Sequence, residues 1–388
     1  MMGVPLRYNV RSIMVRRVTS TLTVFGIALV IFALSWVLAL MDGLDRALVS
    51  VVDPAIVIMI RPSALSETTS NISPEVFNQV RFQPEIALDG SGQPLASADA
   101  VVNAFLFKPN GERGGVIIRG VGREAFPIHR RIRFTRGRMF RPGSTELIIG
   151  KTLIGRFNGL GMGEKIRLAR FDWTVVGEFE AGGAAAESEA WGDARQVMQG
   201  FLREAYSSFV VRLTSPAEFA RFARRVEGDA RINLKAWTEE GYYATQASSA
   251  LAIWTMGFVI ATIMGMGAIF GAMNTMYSAV VGRVRKIGTL RALGFSGGAI
   301  LASFLFEAIL LGVAGGAVGA LLAGLFFQGQ TTSVMNLRSF NEIQFTLQVT
   351  PQLLLRAFAV AGVMGIVGGL LPAIRAARLP IVRALREL

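Results

Sequence analysis

Two short groups of residues could in principle carry chemistry. Gly150, Lys151 and Thr152 follow the apolar run "ELII" and match the end of a phosphate-binding loop, G-x-x-x-x-G-K-[ST]. That motif needs a glycine at position 145, which is Thr145 here. Without this glycine the backbone is not expected to wrap a phosphate, so we do not expect this chain to bind ATP.

A second group contains the carboxylates of Glu187, Glu189 and Asp193 in "ESEAWGD". Paired carboxylates can act as a general acid and base. We favour a solvated, glycine-flanked loop anchored by Trp191. His129 is the only histidine and the chain has no cysteine, so a transition-metal site is not expected and His129 is interpreted as a surface strand residue. These residues give no basis for a catalytic centre.

The stretch "VGRVRKIGTLRALGF" is the third candidate, and its chemistry is binding. Its cations are Arg283, Arg285, Lys286 and Arg291. On a helical wheel Arg283 and Arg291 share a sector with the apolar residues, which argues against a helix lying on lipid. A short helix with mixed cationic and apolar contacts suits docking into a groove on another protein. The alternative is that the cations only enforce membrane topology.

Long apolar runs flank this stretch and must position it. The chain of 388 residues is 52% hydrophobic with a mean hydropathy of +0.46, and four runs carry at most one charge each: 18–41, 241–282, 292–337 and 357–374. A helix of about 20 apolar residues crosses a bilayer. The sequence therefore predicts four membrane-spanning helices.

The net charge of +13 is concentrated at three places. The segment before the first helix, the 283–291 stretch and the C-terminal tail together hold 12 Lys and Arg against one acid, Glu387. By the positive-inside rule, both termini and the 283–291 stretch are expected in the cytoplasm. Residues 42–250 carry a net charge of only +2 and are expected outside, so the high pI does not indicate nucleic-acid binding.

The outer segment changes to short alternating runs with turn residues between them, which predicts an α+β domain. Strands are expected at 54–60, 100–107, 115–121, 146–150, 164–169, 173–179 and 208–213, and helices at 73–82 and 215–228. Residues 241–249 could continue the second membrane helix as a stalk or form a loop. The predicted fold class is an α-helical membrane protein with four transmembrane helices and an α+β extracytoplasmic domain between helices one and two.

The expected order of segments follows from these runs. It is a cytoplasmic N-terminal segment (1–17), helix one (18–41), the extracytoplasmic domain (42–250), helix two with its stalk (251–281), a cytoplasmic segment (282–297), helix three (298–326), an extracytoplasmic loop (327–352), helix four (353–374) and a basic cytoplasmic tail (375–388).

Helix three carries an ionisable residue, Glu307, within its apolar run. Such a residue usually faces a partner or a cavity. A hydrogen bond to another helix and a role in substrate binding both remain open. The same helix has small residues at four-residue spacing, which allow close helix contacts within one protomer or between two: Gly312, Gly315, Gly316 and Gly319.

Several stretches resemble one known family. "NTM…GRVRKIGTLRALGFS", "FLFEAILLGVAGGAVG" and the ending "LPAIRAARLPIVRALREL" resemble, in the same order, the signatures of the FtsX-like permease superfamily, which includes macrolide-exporter and lipoprotein-release permeases. "GRMFRPGSTELIIGKTLIGRF" and "WTVVGEFEAGGAAAESEAWGD" are similar to its MacB-like periplasmic core. The resemblance covers nearly the whole chain.

The resemblance implies a permease of an ABC transporter that works by mechanotransmission in the bacterial cytoplasmic (inner) membrane. In such relatives the segment after helix two docks on a cytoplasmic ATPase. That role would fall on Arg283, Arg285, Lys286, Ile287, Gly288, Leu290, Arg291, Ala292, Leu293 and Gly294. Gly282 and Lys286 stand where the family commonly has Glu, so the contacts that those acids make are in question here.

The resemblance also implies partners. Two separate ATPase subunits would hold ATP and Mg²⁺, a second permease copy or paralogue would complete the transporter, and a periplasmic adaptor and membrane lipid are further expected partners. This chain itself would be non-catalytic. Export of amphipathic or hydrophobic cargo is the first functional hypothesis. The alternative is a regulatory permease that controls an extracytoplasmic enzyme or sensor without transport.

Overall fold

The structure is a computed structural model, and it describes residues 15–50, 52–247, 251–336 and 341–380. The chain forms two compact units. The membrane unit consists of residues 1–42, 252–330 and 347–388, and the extracytoplasmic unit of residues 43–251 and 331–346. Most of the predicted N-terminal segment and the end of the basic tail lie outside the described residues.

The helices are α1 (Arg17–Asp45), α2 (Pro74–Val80), α3 (Ala125–Ile128), α4 (Ala194–Gly200), α5 (Phe219–Gly228), α6 (Glu239–Ala247), α7 (Leu251–Val281), α8 (Val284–Ala292), α9 (Gly297–Phe327) and α10 (Pro351–Ala377). The strands are β1 (Ile56–Ile60), β2 (Ala96–Phe107), β3 (Arg113–Val121), β4 (Arg133–Gly137), β5 (Glu146–Gly150), β6 (Lys165–Leu168), β7 (Phe171–Glu180), β8 (Glu189–Asp193), β9 (Ser208–Arg212), β10 (Lys235–Thr238), β11 (Thr331–Asn336) and β12 (Asn341–Thr346).

Four of these helices, α1, α7, α9 and α10, are long and apolar enough to cross a membrane. Capping residues fix where two of them begin. The Ser296 side chain accepts a hydrogen bond from the Ala299 N–H, and the Thr350 side chain accepts one from the Leu353 N–H. Pro351 occupies the first turn of α10, where no backbone donor is needed. The predicted four-helix architecture is confirmed.

Glycines let α9 contact two other helices closely. A Cβ on Gly312 would lie 2.7 Å from the Ala361 carbonyl oxygen of α10, and one on Gly316 would lie 2.8 Å from the Ala361 Cβ. On the neighbouring face, a Cβ on Gly319 would lie 2.5 Å from the Ala28 oxygen of α1, and one on Gly315 would lie 2.9 Å from the Val24 oxygen. The glycines of α9 therefore contact helices of the same chain.

The extracytoplasmic unit is built on one mixed sheet with the strand order β10-β1-β9-β2-β3-β8-β5-β7-β4, and β6 pairs with β7. The long strand β2 serves two lobes. Residues 96–99 pair with β9 in the first lobe, where α2 and α5 cover the core, and residues 100–107 pair with β3 in the second lobe. The second lobe has its own core around Trp173 and Leu147. The predicted α+β domain between helices one and two is confirmed.

Several elements differ from the sequence-based expectation. The seven predicted strands are present, but β4, β8 and β10 were not predicted. The segment expected as a loop at 327–352 contains the hairpin β11–β12, which belongs to the extracytoplasmic unit. Lys108 Nζ lies 2.8 Å from Glu342 Oε1 of this hairpin. Residues 241–247 are helical rather than a loop, and residues 248–250, which would show whether α6 joins α7, lie outside the described residues.

The glycine contacts predict a position-specific effect of adding one methyl group. Gly312→Ala is expected to destabilise the membrane unit by on the order of 1–3 kcal/mol, because the new Cβ overlaps the α10 backbone. Gly324→Ala, in the same helix, meets nothing within 4 Å and serves as the control. Thermal unfolding midpoints in detergent should fall only for Gly312→Ala, and equal midpoints would contradict the packing described.

Candidate functional site

The predicted docking stretch forms the short helix α8. The helix begins after a break at Gly282 and Arg283, where the chain leaves α7. The helix ends at Ala292, and Gly294 lies just beyond its C-cap with a φ of +93° that suits glycine. The Phe295 N–H donates to the Leu290 oxygen at 3.1 Å and the Gly294 N–H to the Arg291 oxygen at 3.2 Å. This pair of hydrogen bonds is a Schellman motif, so the sequence itself sets the length of α8.

The two faces of α8 differ. Ile287 and Gly288 are buried, and Ile287 packs in a cluster with Val280 of α7 and Phe304 of α9. The exposed positions are Arg285, Lys286, Thr289, Ala292, Leu293 and Gly294. Leu290 and Arg291 are half-buried, and Arg291 Nη1 lies 3.5 Å from the Ala377 oxygen at the end of α10. The exposed side of α8 thus carries the cations Arg285 and Lys286 and the 72% exposed Leu293.

A buried ion pair holds the start of α8. Arg283 Nη1 lies 2.8 Å from Glu307 Oε2, and Nη2 lies 2.9 Å from Oε1. Both side chains are at most 10% exposed, and the Arg283 guanidinium also stacks over the Phe304 ring at 5.6 Å. Parallel hydrogen bonds of this kind fix both distance and orientation. Glu307, left open by the sequence, has a structural partner, and Arg283 faces into the helix bundle.

A buried charge cluster that the sequence did not reveal lies in the extracytoplasmic unit. Arg119 of β3 contacts three carboxylates: Glu67 at 2.9 Å, Asp99 at 3.1 Å and Glu189 at 2.7 Å. These residues belong to β2, β3, β8 and the turn before α2, so one guanidinium joins the two lobes. Burial raises the pKa of Asp99 to about 6. The signal in the sequence was an arginine at an inward position of the alternating strand "GVIIRGV".

The interpretation of Glu187, Glu189 and Asp193 as a solvated loop is wrong. Glu189 and Asp193 bound strand β8, and Glu187 is 1% exposed. Glu187 accepts hydrogen bonds from the Ala181 and Gly183 N–H groups, Glu189 pairs with Arg119, and Asp193 caps α4. Backbone N–H groups of tight turns and one guanidinium make the burial of these acids possible. The charges interrupt the alternating strand pattern, so the sequence did not predict a buried strand.

Two other sequence candidates also have structural partners. Lys151 Nζ lies 3.4 Å from Glu180 Oε2 and 3.6 Å from Glu187 Oε1, and the Thr152 hydroxyl donates to the Glu187 oxygen. His129 follows α3 and is not in a strand, so that prediction was wrong; its ring lies 5.6 Å from Trp191. Burial, aided by the nearby charge of Arg119, lowers the pKa of His129 to about 4.

The two chain segments that lead toward α1 and α7 meet inside the extracytoplasmic unit. The Asp53 N–H donates to Glu239 Oε2 at 2.6 Å, and Arg212 Nη1 lies 2.8 Å from Asp53 Oδ2. Glu239 is the first residue of α6. Burial raises the pKa of Glu239 from its ordinary 4.5 to about 7, and the neighbouring Asp53 charge acts in the same direction. This contact links residue 53, just beyond α1, to the helix that precedes α7.

Comparison with known families identifies the chain. Residues 20–228 match the MacB-like periplasmic core domain, and residues 250–381 match the FtsX-like permease C-terminal domain. The chain belongs to the MacB-type family of FtsX-like ABC permeases. The four apolar helices and the periplasmic core domain make this MacB-type permease a membrane protein with an extracytoplasmic domain.

Individual relatives of this MacB-type permease are exporters by name. The macrolide export ATP-binding/permease protein MacB 2 of Aeromonas hydrophila is 26% identical over 98% of this chain and 60% of its own length. The pyoverdine export ATP-binding/permease protein PvdT of Pseudomonas entomophila is 30% identical over 63% of this chain and 38% of its own length. The chain spans about half the length of the curated relatives that it matches.

Two solved structures are similar to about half of this MacB-type permease. The periplasmic region of MacB from Actinobacillus actinomycetemcomitans covers 49% of this chain and 92% of that chain, with 10% identity and a TM-score of 0.36. The extracellular domain of the transporter YknZ from Gram-positive bacteria covers 47% of this chain and 99% of that chain, with 16% identity and a TM-score of 0.36.

The Arg283–Glu307 pair predicts strong coupling between two substitutions. Arg283→Met and Glu307→Met each leave one buried charge without this partner, and each is expected to lower the free energy of unfolding by roughly 3–5 kcal/mol. Arg283→Met combined with Glu307→Met removes both charges and is expected to recover much of that loss. A double-mutant cycle of unfolding midpoints in detergent measures the coupling, and simple additivity of the single effects would contradict it.

Glu239 predicts a pH dependence of the extracytoplasmic unit. Its pKa is higher in the folded state than in the unfolded chain, so the folded state retains the proton that the unfolded chain loses. Stability therefore falls as pH rises from about 4.5 to about 7, by up to roughly 3 kcal/mol. Glu239→Gln should remove this slope and raise the unfolding midpoint at pH above about 7, measured by tryptophan emission.

The control for this experiment is the adjacent residue. Glu240 is exposed, so Glu240→Gln should leave the wild-type pH dependence in place. A pH slope shared by wild type and Glu239→Gln would show that other groups, such as Asp99, account for it.

Proposed function

We propose that this permease couples ATP hydrolysis by two separate cytoplasmic ATPase subunits to movement of its periplasmic domain, for export or extraction of amphipathic or hydrophobic cargo. The observation that carries the proposal is α8, a short helix with a cationic and apolar exposed face and a fixed inner face. Arg285, Lys286 and Leu293 are the exposed residues that would contact the ATPase.

The inner contacts of α8 support its role in transmitting force. It continues from α7 through a two-residue break, the preceding Arg283 is paired with Glu307 of α9, and Arg291 reaches the Ala377 oxygen of α10. A displacement of α8 is therefore passed to three membrane helices at once. The Schellman motif keeps the C-terminal end of α8, next to the exposed Leu293, rigid.

The partners follow from this role. ATP and Mg²⁺ would be held by the ATPase subunits, and the permease would act without a catalytic residue of its own. A second permease copy or paralogue would supply the second docking helix, and a periplasmic adaptor could receive the cargo. The charge distribution supports a bacterial inner-membrane location with both termini and α8 in the cytoplasm.

Lys286 refines the expected partner. It is exposed on α8, at a position where the family commonly has Glu. A cation there attracts an acidic side chain on the ATPase and repels a basic one. The proposal therefore expects an acidic groove on the cognate ATPase.

Charge reversal on the exposed face tests the coupling. Arg285→Glu combined with Lys286→Glu, or Leu293→Asp, should reduce permease-stimulated ATP hydrolysis by the cognate ATPase by about tenfold or more, because like charges or a buried carboxylate oppose docking. Activity and co-purification are measured with the full permease in lipid nanodiscs.

Two controls accompany this measurement. Thr289→Ala changes an exposed position of α8 without altering charge and should retain stimulation. Because cations also direct membrane topology, protease accessibility of the tail checks that the charge-reversed chain keeps its orientation. Full stimulation in correctly oriented variants would show that α8 is only a topology signal.

A further inference from the structure

A large groove lies between the two lobes of the extracytoplasmic unit. Its volume is about 720 Å³, and its walls come from α2, the start of β2, the end of β3 and the loop that leads into α4. Ligand sites for small molecules commonly measure about 300–1,000 Å³, whereas protein-docking surfaces are flatter. The size and concavity therefore suit a small organic molecule better than a protein partner.

Three arginines line this groove: Arg81, Arg123 and Arg195. Arg123 and Arg195 are exposed and Arg81 is half-buried. Within the part of the chain that the structure describes, none of the three has a carboxylate within ion-pair distance. Free guanidinium groups facing one cavity favour an anion, because each can donate two parallel hydrogen bonds to a carboxylate, sulfonate or phosphate.

Two acids also line the groove, Glu124 and Asp193. Asp193 is occupied, since its oxygens accept hydrogen bonds from the N–H groups of Gly143 at 3.0 Å, Arg195 at 3.0 Å and Gln196 at 3.1 Å. Glu124 is exposed and carries one negative charge. The cations still exceed the acids, so the groove keeps a positive balance.

Aromatic rings complete the lining. Phe77, Phe140 and Tyr206 face the groove, and the Arg81 guanidinium stacks 5.5 Å from the centre of the Phe77 ring. The Phe209 ring lies behind this wall: its centre is 5.0 Å from that of Phe77 and 6.2 Å from that of Tyr206, so both rings are supported. Rings of this kind bind the flat apolar part of a molecule, while a neighbouring guanidinium binds its anionic group.

We propose that this groove is a binding site for a small organic anion that carries an aromatic or apolar body. The anionic group would contact Arg123 and Arg195, and the apolar body would lie against Phe77 and Tyr206. This inference goes beyond the proposed function, because it concerns the extracytoplasmic unit alone and its test needs neither an ATPase nor transport.

Two fluorescent probes with the same ring system test the role of charge. Anilinonaphthalene sulfonate is anionic, and phenylnaphthylamine lacks the sulfonate. Each is titrated against the full chain in nanodiscs of zwitterionic lipid, with empty nanodiscs subtracted. Arg123→Gln combined with Arg195→Gln should weaken the binding affinity of the sulfonate probe by about tenfold. The same change should weaken the affinity of phenylnaphthylamine by less than about twofold.

The matched control is Arg170→Gln combined with Arg224→Gln, which removes two exposed arginines of the same unit outside the groove. It should leave both affinities unchanged. Neither Arg123 nor Arg195 makes a side-chain contact that holds the fold in the described residues, so the groove variant should keep the wild-type unfolding midpoint. Equal loss of sulfonate affinity in both double variants, or parallel loss of both probes, would overturn the proposal.

Competition experiments show which anionic group the groove prefers. Naphthyl phosphate and naphthaleneacetate should displace the sulfonate probe from the wild-type chain, and the stronger competitor identifies whether the site prefers phosphate or carboxylate. Raising NaCl from about 50 mM to about 500 mM should weaken this displacement, since exposed charges are screened by salt. Failure of both anions to displace the probe would overturn the proposal.

Discussion

A guanidinium and a carboxylate that meet inside a bundle of apolar helices constrain the membrane unit. Neither Arg283 nor Glu307 is sufficiently exposed to be hydrated, so each needs the other in place. Because Arg283 immediately precedes α8, the position of that helix depends on α9. The glycines of α9 in turn bring α1 and α10 against it, so the ion pair and the close backbone contacts form one connected framework.

A comparable constraint organises the extracytoplasmic unit. Arg119 satisfies three buried carboxylates from separate segments, and Trp191 donates a further hydrogen bond to Glu189 at 2.8 Å. Removing Arg119 would leave its buried carboxylates without this cation in the interior, which makes the lobes interdependent. The groove beside them therefore has walls from two lobes that are held in register, as a site of fixed shape requires.

The sequence predicted the elements whose signals are local. Uninterrupted apolar runs gave the four membrane helices, and alternation gave seven strands of the outer domain. It could not show which acids are buried, because "ESEAWGD" reads as polar and only the distant Arg119 makes burial of Glu189 favourable. It also missed the β11–β12 hairpin, whose strands are stabilised by Lys108 and Ser188, more than 150 residues earlier in the chain. Long-range pairing leaves little trace in local composition.

The placement of that hairpin has a consequence for biosynthesis. Residues 43–251 emerge from the ribosome first, but Glu342 and Gln344, which contact Lys108 and Ser188, follow only after α9 has been made. The extracytoplasmic unit can thus reach its complete form only once the third membrane helix has been inserted and the hairpin has been delivered across the bilayer. Correct membrane insertion thus becomes a condition for finishing the outer domain, because a misinserted chain leaves Lys108 and Ser188 without their hairpin partners.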